Sequence, residues 1–437
     1  MITDTFLSMR LKSNEVISMD DFVKGYIHML DTYGTHELHI VRYIESLATQ
    51  QGYTLHKENK QYRRGNKIIF KYRDKFIALV RLGSDISSGA DIIVSHVDSP
   101  RLDVIVGSPI IKKEDGVFFK VVPYGGIITQ SWLDRPLALV GRVQTDEGAV
   151  YINTKGYYDF TVTSLLPHLG GSKEMRELSQ DKLLVRIGNN DNDKDGVLKF
   201  LEDTYSIKEA DLELADLSFV PSDMTREIGF DKDFIAGYGH DDKSCAYAEL
   251  MAMLDAKTHN ERTTIAIFAS YEETGSAQTT GCQSEFVDDM FLELTHDVIR
   301  ARRAVRNSNV ISADVCAGFE STYANHFEDC AKAISGNGVG IIPYLGKKRG
   351  NDTEFDFRSQ IKQLALDNDV KYQIETTKVS EGGGGTVSTF FAVRGCHVID
   401  VGVPVLAMHS PQELISKRDL YECYKLYKAF YESQGVM

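Results

Sequence analysis

Two adjacent glutamates, Glu272 and Glu273, directly follow an apolar run at residues 265–269. A run this apolar is typical of a strand buried on both faces. Neighbouring carboxylates repel one another when both are ionised. A divalent cation would offset that repulsion and hold one carboxylate ionised, which leaves the other to accept and release protons. A solvated acidic turn is the alternative interpretation.

Further polar residues lie at the ends of apolar segments or just before a helix. They are His96 with Asp98, Asp241 in the motif GHDDKS, Asp314 and His409. Each alone has an ordinary structural explanation, such as a core histidine or an aspartate that caps a helix. Their shared placement favours function, because ligands of open parallel sheets bind outside the carboxyl ends of the strands.

Two histidines and several carboxylates form a donor set that suits zinc or a similar divalent ion. The donors are too many for one tetrahedral ion and suit two ions bridged by a carboxylate, which activate a shared water and polarise a carbonyl group. One of Glu272 and Glu273 would then bind metal while its neighbour acts as general base. Asp98 is placed to accept the second N–H of His96. Zinc is the favoured ion, with cobalt or manganese as alternatives.

A mainly parallel α/β sheet flanked by helices would bring these residues together. Short apolar runs that end in polar residues predict strands at 91–96, 265–273, 309–314 and 398–402, and the stretch 243–256 between two of them has a helical pattern. Strands that alternate with helices are typical of such a sheet. Earlier in the chain, Thr35 is expected to cap a helix that ends near Gly52.

The pattern changes between residues 101 and 235, which predicts a β-rich inserted domain. Strands are expected at 117–122, 137–140 and 182–187, with glycine turns at Gly125 and Gly170. Residues 1–100 and 236–437 would form the two parts of the catalytic α/β domain.

Residues 191–202 of the insertion match the sequence pattern of a calcium-binding loop. The carboxylates fall at loop positions one, three, five and twelve. A solvated acidic loop is favoured over a calcium site, because the preceding segment has the pattern of a strand where an incoming helix is needed.

The amino-acid composition argues for a globular protein and against several classes of partner. Of 437 residues, 42% are apolar, which is enough for a sizeable core. The net charge of −14 argues against nucleic-acid and anionic-membrane partners. Six cysteines without CxxC pairs suit a reducing compartment. With no signal-like start and no apolar run of about 18 residues, a soluble cytoplasmic protein is expected.

Several motifs in a fixed order resemble the aspartyl aminopeptidase family of dinuclear zinc metallopeptidases. They are SHVDSPRLDV (95–104), YGGIITQSWLDRPLALVGRV (124–143) and VIDVGVPVLAMHSPQE (398–413), with GHDDKS, EETGS and SADV between them. The resemblance covers nearly the whole chain. It implies a zinc-peptidase-like α/β domain interrupted by a β-rich domain with a role in oligomerisation, and a homo-oligomer such as the tetrahedral dodecamer of related enzymes.

The resemblance also implies a role for each site residue. His96 and Asp314 would bind one metal ion, Glu273 and His409 the other, Asp241 would bridge the two ions, Asp98 would orient His96, and Glu272 would transfer the proton.

Recognition of the substrate side chain is less well defined, because residues 315–320 and Pro343 depart from the family pattern. An acidic side chain needs a cation in its pocket. The candidates are Lys347, Lys348 and Arg349 as the cation, Gly383 and Gly384 as backbone N–H donors, and His168 as a residue that reaches a neighbouring subunit. A solvated basic loop, a flexible turn and a structural histidine are the respective alternatives.

The leading hypothesis is an aminopeptidase that removes N-terminal residues, with acidic ones as a candidate preference, from peptides. A carboxypeptidase or N-acyl amino-acid deacylase with the same dimetal site is the first alternative. A catalytically silent assembly protein is the second, and the presence of every expected ligand argues against it.

Overall fold

A computed structural model describes residues 17–171, 173, 178–189, 194–257, 261–344, 352–378, 380, 385–433 and 435. The chain divides into two compact units. The first, here the α/β unit, comprises Met1–Asp98, Thr225–Met408 and Glu413–Met437. The second, here the β-rich unit, comprises Ser99–Met224 and His409–Gln412.

The elements are numbered in chain order. The described α-helices are α1 (Met19–Thr32), α2 (Glu37–Gln50), α3 (Lys194–Tyr205), α4 (His240–Asp255), α5 (Phe286–Thr295), α6 (Val298–Arg306), α7 (Phe355–Asp367), α8 (Ser388–Ala392) and α9 (Lys417–Glu432). The strands of the α/β unit are β1 (Thr54–Leu55), β2 (Lys67–Tyr72), β3 (Phe76–Arg81), β4 (Ala90–His96), β12 (Arg226–Ile228), β13 (Phe234–Gly237), β14 (Thr263–Ala269), β15 (Asn309–Ser312), β16 (Cys316–Ala317), β17 (Val339–Ile342), β18 (Tyr372–Ile374), β19 (His397–Gly402), β20 (Pro404–Leu406) and β21 (Glu413–Ser416). The strands of the β-rich unit are β5 (Arg101–Val104), β6 (Ile110–Lys113), β7 (Gly116–Tyr124), β8 (Leu137–Thr145), β9 (Gly148–Asn153), β10 (Leu184–Gly188) and β11 (Asp216–Pro221).

The main sheet of the α/β unit has the order β1-β2-β3-β14-β4-β15-β19-β17-β18. Its central strands β14, β4, β15 and β19 are parallel to one another, so the predicted α/β fold is confirmed. The register pairs Ala269 with His96 and Ser312 with Val94. Three strands therefore end at the same edge of the sheet, and the polar residues that follow them share that edge.

The central strands are buried on both faces, as their apolar runs predict. Every residue of β4 and β14 is buried. Ile93 packs in one apolar cluster, with residues of α1, α2, α4 and α9, whereas Ile92 and Val94 pack in another, with residues of α5 and α6. Each such side chain contributes about 1.5–3 kcal/mol by leaving water, so a helical layer on each face holds the strand ends in place.

A shorter sheet of the α/β unit has the order β12-β13-β21-β20-β16. Within it, β13 and β21 pair as antiparallel strands, with Gly237 opposite Glu413. The pairing brings the start of β21 beside the segment that leads into α4.

The N-terminal helices differ from the sequence prediction in two ways. The cap of α2 is His36, whose Nδ1 accepts the backbone N–H of Leu38 at 3.2 Å, and not Thr35. The hydroxyl of Thr35 instead bonds the ring of His39. The preceding helix α1 was not predicted; Ser18 caps it through the N–H of Asp21.

Antiparallel pairing builds the β-rich unit, in the strand order β10-β7-β5-β11-β8-β9 with β6 beside β7. Gly125 and Gly170 have φ of 73° and 88°, the left-handed conformation that favours glycine in turns. The predicted insertion at 101–235 overlaps this unit, and its role in assembly stays a prediction.

The calcium-loop pattern does not form a loop in the described residues. Residues 191–193 lie outside the description, and helix α3 runs from Lys194 to Tyr205. Asp195 and Glu202 therefore lie on a continuous helix and cannot wrap around one ion as loop positions five and twelve do.

Two further observations concern the chain as a whole. No helix within the described ranges is both long and apolar enough to span a lipid bilayer. All six cysteines are free thiols, and five of them are buried.

Buried Glu249 on α4 joins the two central strands. Its carboxyl accepts the Ser95 hydroxyl at 2.5 Å and the Ile267 N–H at 2.8 Å. Burial raises the pKa of Glu249 well above its ordinary value. The folded protein therefore keeps a proton here that the unfolded chain releases.

We expect Glu249→Gln to flatten the pH dependence of stability. The amide can keep both hydrogen bonds and does not ionise. In the wild type, stability from this group is complete below the ordinary glutamate pKa and is lost as pH rises toward the raised folded value, by at most about 1.4 kcal/mol per pH unit. Urea unfolding of both proteins at about pH 5 and about pH 8 measures the difference, and an unchanged slope would contradict it.

Candidate metal centre

Five of the predicted site residues converge at the edge of the main sheet. His96 ends β4, Glu272 and Glu273 lie on a 3₁₀ turn after β14, Asp314 follows β15, and Asp241 lies in the first turn of α4. The ligand atoms of His96, Asp241 and Glu273 lie within 4.8 Å of one another, as do those of His96, Glu272 and Asp314. The two sets overlap at the histidine.

The ring of His96 is buried and has a different partner at each nitrogen. Its Nε2 lies 3.2 Å from Asp241 Oδ1 and 3.8 Å from Asp314 Oδ1. Its Nδ1 lies 3.1 Å from the carbonyl oxygen of Asp98 and 3.4 Å from Asp98 Oδ1. Burial acts to lower the pKa of His96, but hydrogen bonds with Asp241 and Asp98 outweigh burial and raise it well above its ordinary value.

Asp98 contacts more than the histidine. Its Oδ1 accepts the backbone N–H of Glu272 and its Oδ2 that of Glu273, each at 3.3 Å. One carboxylate thus lies against the imidazole and also holds the turn that carries both glutamates. The sequence motif suggested the first contact and contained no sign of the second.

The start of α4 is fixed by two carboxylates that sequence reasoning did not assign. The N–H of Asp241 donates to Glu413 Oε2 at 3.1 Å, and the N–H of His96 donates to Asp242 Oδ2 at 3.2 Å. A cis peptide bond joins Asp241 to Asp242. The motifs GHDDKS and HSPQE contain these residues, but no spacing distinguishes a supporting carboxylate from a ligand.

Burial and neighbouring carboxylates raise the pKa values of two aspartates at this site. Burial, and then the neighbouring carboxylates of Glu272 and Asp242, raise the pKa of Asp314 well above its ordinary value, against the opposite effect of His96. Burial likewise raises the pKa of Asp242. A divalent cation would reverse this by stabilising the ionised forms. One imidazole with several carboxylate oxygens is a donor set that zinc accepts, so the residues fit such an ion.

His409 belongs to the β-rich unit and to neither set of converging atoms. Its Nδ1 lies 2.7 Å from the carbonyl oxygen of Gly126. Since a carbonyl only accepts, Nδ1 carries a proton, which is the arrangement in which a metal-binding histidine uses Nε2.

The predicted substrate-binding residues are not assembled in the described part of the chain. His168 lies on an exposed 3₁₀ turn, Pro167–Leu169, of the β-rich unit. The others lie outside the described residues: Lys347, Lys348, Arg349, Gly383 and Gly384.

Comparison with known proteins identifies the family. A family model described as aminopeptidase I zinc metalloprotease (M18) matches residues 32–431. The chain belongs to the M18 peptidase family. It is therefore a metal-dependent aminopeptidase, as the leading sequence hypothesis states, and the preference for acidic N-terminal residues stays a prediction.

Relatives of this M18 aminopeptidase match over nearly full length. A probable M18 family aminopeptidase 1 from Borrelia garinii subsp. bavariensis is 35% identical over 96% of this chain and 97% of its own. The crystal structure of an M18 aminopeptidase from Thermotoga maritima has a TM-score of 0.88 at 31% identity and covers 95% of this chain and 96% of that one. The S. cerevisiae mApe1 dodecamer structure, at 18% identity, 94% and 96% coverage and a TM-score of 0.79, shows the fold alone.

Substitution of His409 should separate anchoring from metal binding. In His409→Asn the amide keeps a donor near the position of Nδ1 and can still bond the Gly126 carbonyl, whereas His409→Ala loses both functions. We expect both variants to lose metal affinity by about 10–100-fold or more, and only the alanine variant to lose about 1 kcal/mol of metal-free stability as well. Metal titration and denaturant unfolding measure the two effects. Equal metal-free stability of the two variants would contradict the anchoring role.

Proposed function

We propose that this M18 aminopeptidase uses two divalent ions, most simply zinc, held by the ligand set that the sequence predicts. His96 and Asp314 would hold one ion, Glu273 and His409 the other, and Asp241 would bridge them. The observation that carries the proposal is the pair of overlapping donor sets that share His96. When bound, such ions polarise the scissile carbonyl and lower the pKa of water.

Glu272 is proposed to move the proton. Its carboxylate oxygen lies within 4.8 Å of ligand atoms of His96 and Asp314, and its backbone N–H is held by Asp98. A half-buried carboxylate at this place can take a proton from the attacking water and deliver it to the leaving amine. Glu273, whose N–H is held by the other oxygen of Asp98, points its carboxylate to the set that contains Asp241. In this proposal Glu272 transfers the proton and Glu273 binds metal.

Glu272→Gln should lower kcat by about 10²–10⁴-fold while the protein keeps its metal. The amide retains the shape of the side chain but does not accept the proton. Hydrolysis of aminoacyl chromogenic substrates, with metal content measured on the same samples, tests this. Glu273→Gln is the matched comparison, since it should lose metal. An undiminished rate in Glu272→Gln would exclude the role.

Removing the metal and adding back one kind of ion at a time should identify the ion that supports hydrolysis. Chelation is expected to abolish hydrolysis, and zinc, cobalt and manganese added back one at a time should restore it to different extents, because all three accept oxygen and nitrogen donors. Metal bound at saturation gives the number of ions per chain. One equivalent at full activity would contradict the two-ion proposal.

Substrate choice, assembly and location complete the proposal. Peptides with a free N-terminal amine are the proposed substrates, and acidic N-terminal residues are the proposed preference. A panel of acidic, neutral and basic aminoacyl substrates, each with its N-acetylated counterpart, tests both. A homo-oligomer is proposed on the likeness to the dodecamer structure, and a cytoplasmic location on the six free thiols.

A further inference from the structure

A buried ion pair, Glu37 with Lys75, lies beside the turn that carries Glu272 and Glu273. We propose that this pair positions the turn for catalysis, with Lys75 as the positioning residue. The inference rests on the proposed roles of the two glutamates and extends them to residues that no sequence motif singled out.

The pair is enclosed by the protein. Lys75 Nζ lies 3.0 Å from Glu37 Oε1, and His36 Nδ1 lies 3.3 Å from Glu37 Oε2. Lys75 and Glu37 are only 6% and 1% exposed. Glu37 is the first residue of α2, and Lys75 follows Arg73 and Asp74, which turn the chain between β2 and β3. The pair thus joins a helix to a hairpin.

Lys75 also contacts the segment that leads into the catalytic turn. Its ammonium lies 5.5 Å from the ring centroid of Tyr271, within the range of a cation–π interaction. Its backbone carbonyl accepts the hydroxyl of Ser270. Two consecutive residues before Glu272 are therefore held by one lysine, one through its side chain and one through its main chain.

Tyr271 directly precedes the 3₁₀ turn Glu272–Thr274. Its φ is 62°, a left-handed conformation that a non-glycine residue keeps only when its surroundings enforce it, at a cost of about 1–3 kcal/mol. Its carbonyl accepts the N–H of Thr274 at 3.3 Å and of Ser276 at 2.7 Å. Asp98 holds the far side of the turn through Glu272 and Glu273, and Lys75 holds the near side.

Stability alone does not account for a buried pair of charges. Desolvation of two ions offsets most of their attraction, and apolar residues of similar volume are often as stable or more stable. A cation fixed over an aromatic ring does, however, define the position of that ring and of the peptide after it. A misplacement of a catalytic carboxylate by about 1 Å is enough to lower turnover by about 100-fold.

The chain contains a matched control pair. Lys71 Nζ lies 2.9 Å from Glu45 Oε2. Lys71 is on β2 and Glu45 on α2, so this pair joins the same hairpin to the same helix. It differs from the first pair in that Lys71 also bonds Asp74 and is about a quarter exposed.

The test compares two charge-neutral double variants, Glu37→Gln/Lys75→Met and Glu45→Gln/Lys71→Met. At saturating zinc, the first should lose about 10–100-fold in kcat with KM changed by no more than about two-fold, and its zinc affinity should fall, whereas the second should keep both values within about two-fold. Lys75→Arg, which retains the charge, should recover part of kcat. Equal kcat and equal zinc affinity in the two double variants would overturn the proposal.

Two further measurements cover the cases in which the first double variant does not fold or the wild-type protein shows no hydrolysis. If the first double variant does not fold, Tyr271→Leu keeps both members of the ion pair and removes the aromatic ring with its hydroxyl, and it should show the same loss of kcat; wild-type kcat in this variant would overturn the proposal. If the wild-type protein binds zinc but hydrolyses no aminoacyl substrate, the proposed function fails, and the zinc affinities of the two double variants still decide whether Lys75 positions the turn.

Discussion

Repulsion between carboxylates at the edge of the main sheet is the constraint on which the rest of this structure depends. Asp241, Glu272, Glu273 and Asp314 all present oxygens to one histidine, and burial raises the pKa of Asp314. Such a cluster is unfavourable by itself and favourable around divalent cations. The fold holds the cluster in place, because the central strands are buried on both faces and pack against helices on each side.

Further carboxylates contact the predicted ligands and the backbone segments that carry them. Asp98 faces His96 and the glutamate turn, Glu413 fixes Asp241, and Asp242 fixes the backbone of His96. Most of these contacts are to backbone N–H groups, so they set the path of the chain as well as the direction of a side chain. Carboxylates therefore have two uses in this region, as ligands for cations and as acceptors that shape the loops.

The sequence predicted best those features that depend on residues close together along the chain. The strands around 91–96, 309–314 and 398–402 were predictable because their apolar runs leave no polar face, and the edge they share follows from parallel pairing. The cap of α2 was misassigned because Thr35 and His36 are adjacent and both have a side chain that can accept a hydrogen bond. Contacts such as Glu413 with Asp241 join distant segments and leave no local pattern. Asp195 and Glu202 show the converse: they fit the sequence pattern of a calcium-binding loop, but the structure places them on a helix.

The hydrogen bond between His409 and Gly126 has a consequence for how the protein is made. Residues His409–Gln412 group with Ser99–Met224, although synthesis places almost two hundred residues between them. The β-rich unit therefore lacks one of its own segments until the ribosome has passed Gln412. A nascent chain can pair the strands of this unit early, but the imidazole can reach its carbonyl partner only after His409 has been synthesised. Products terminated between Met224 and His409 would therefore contain the insertion without the histidine that it orients.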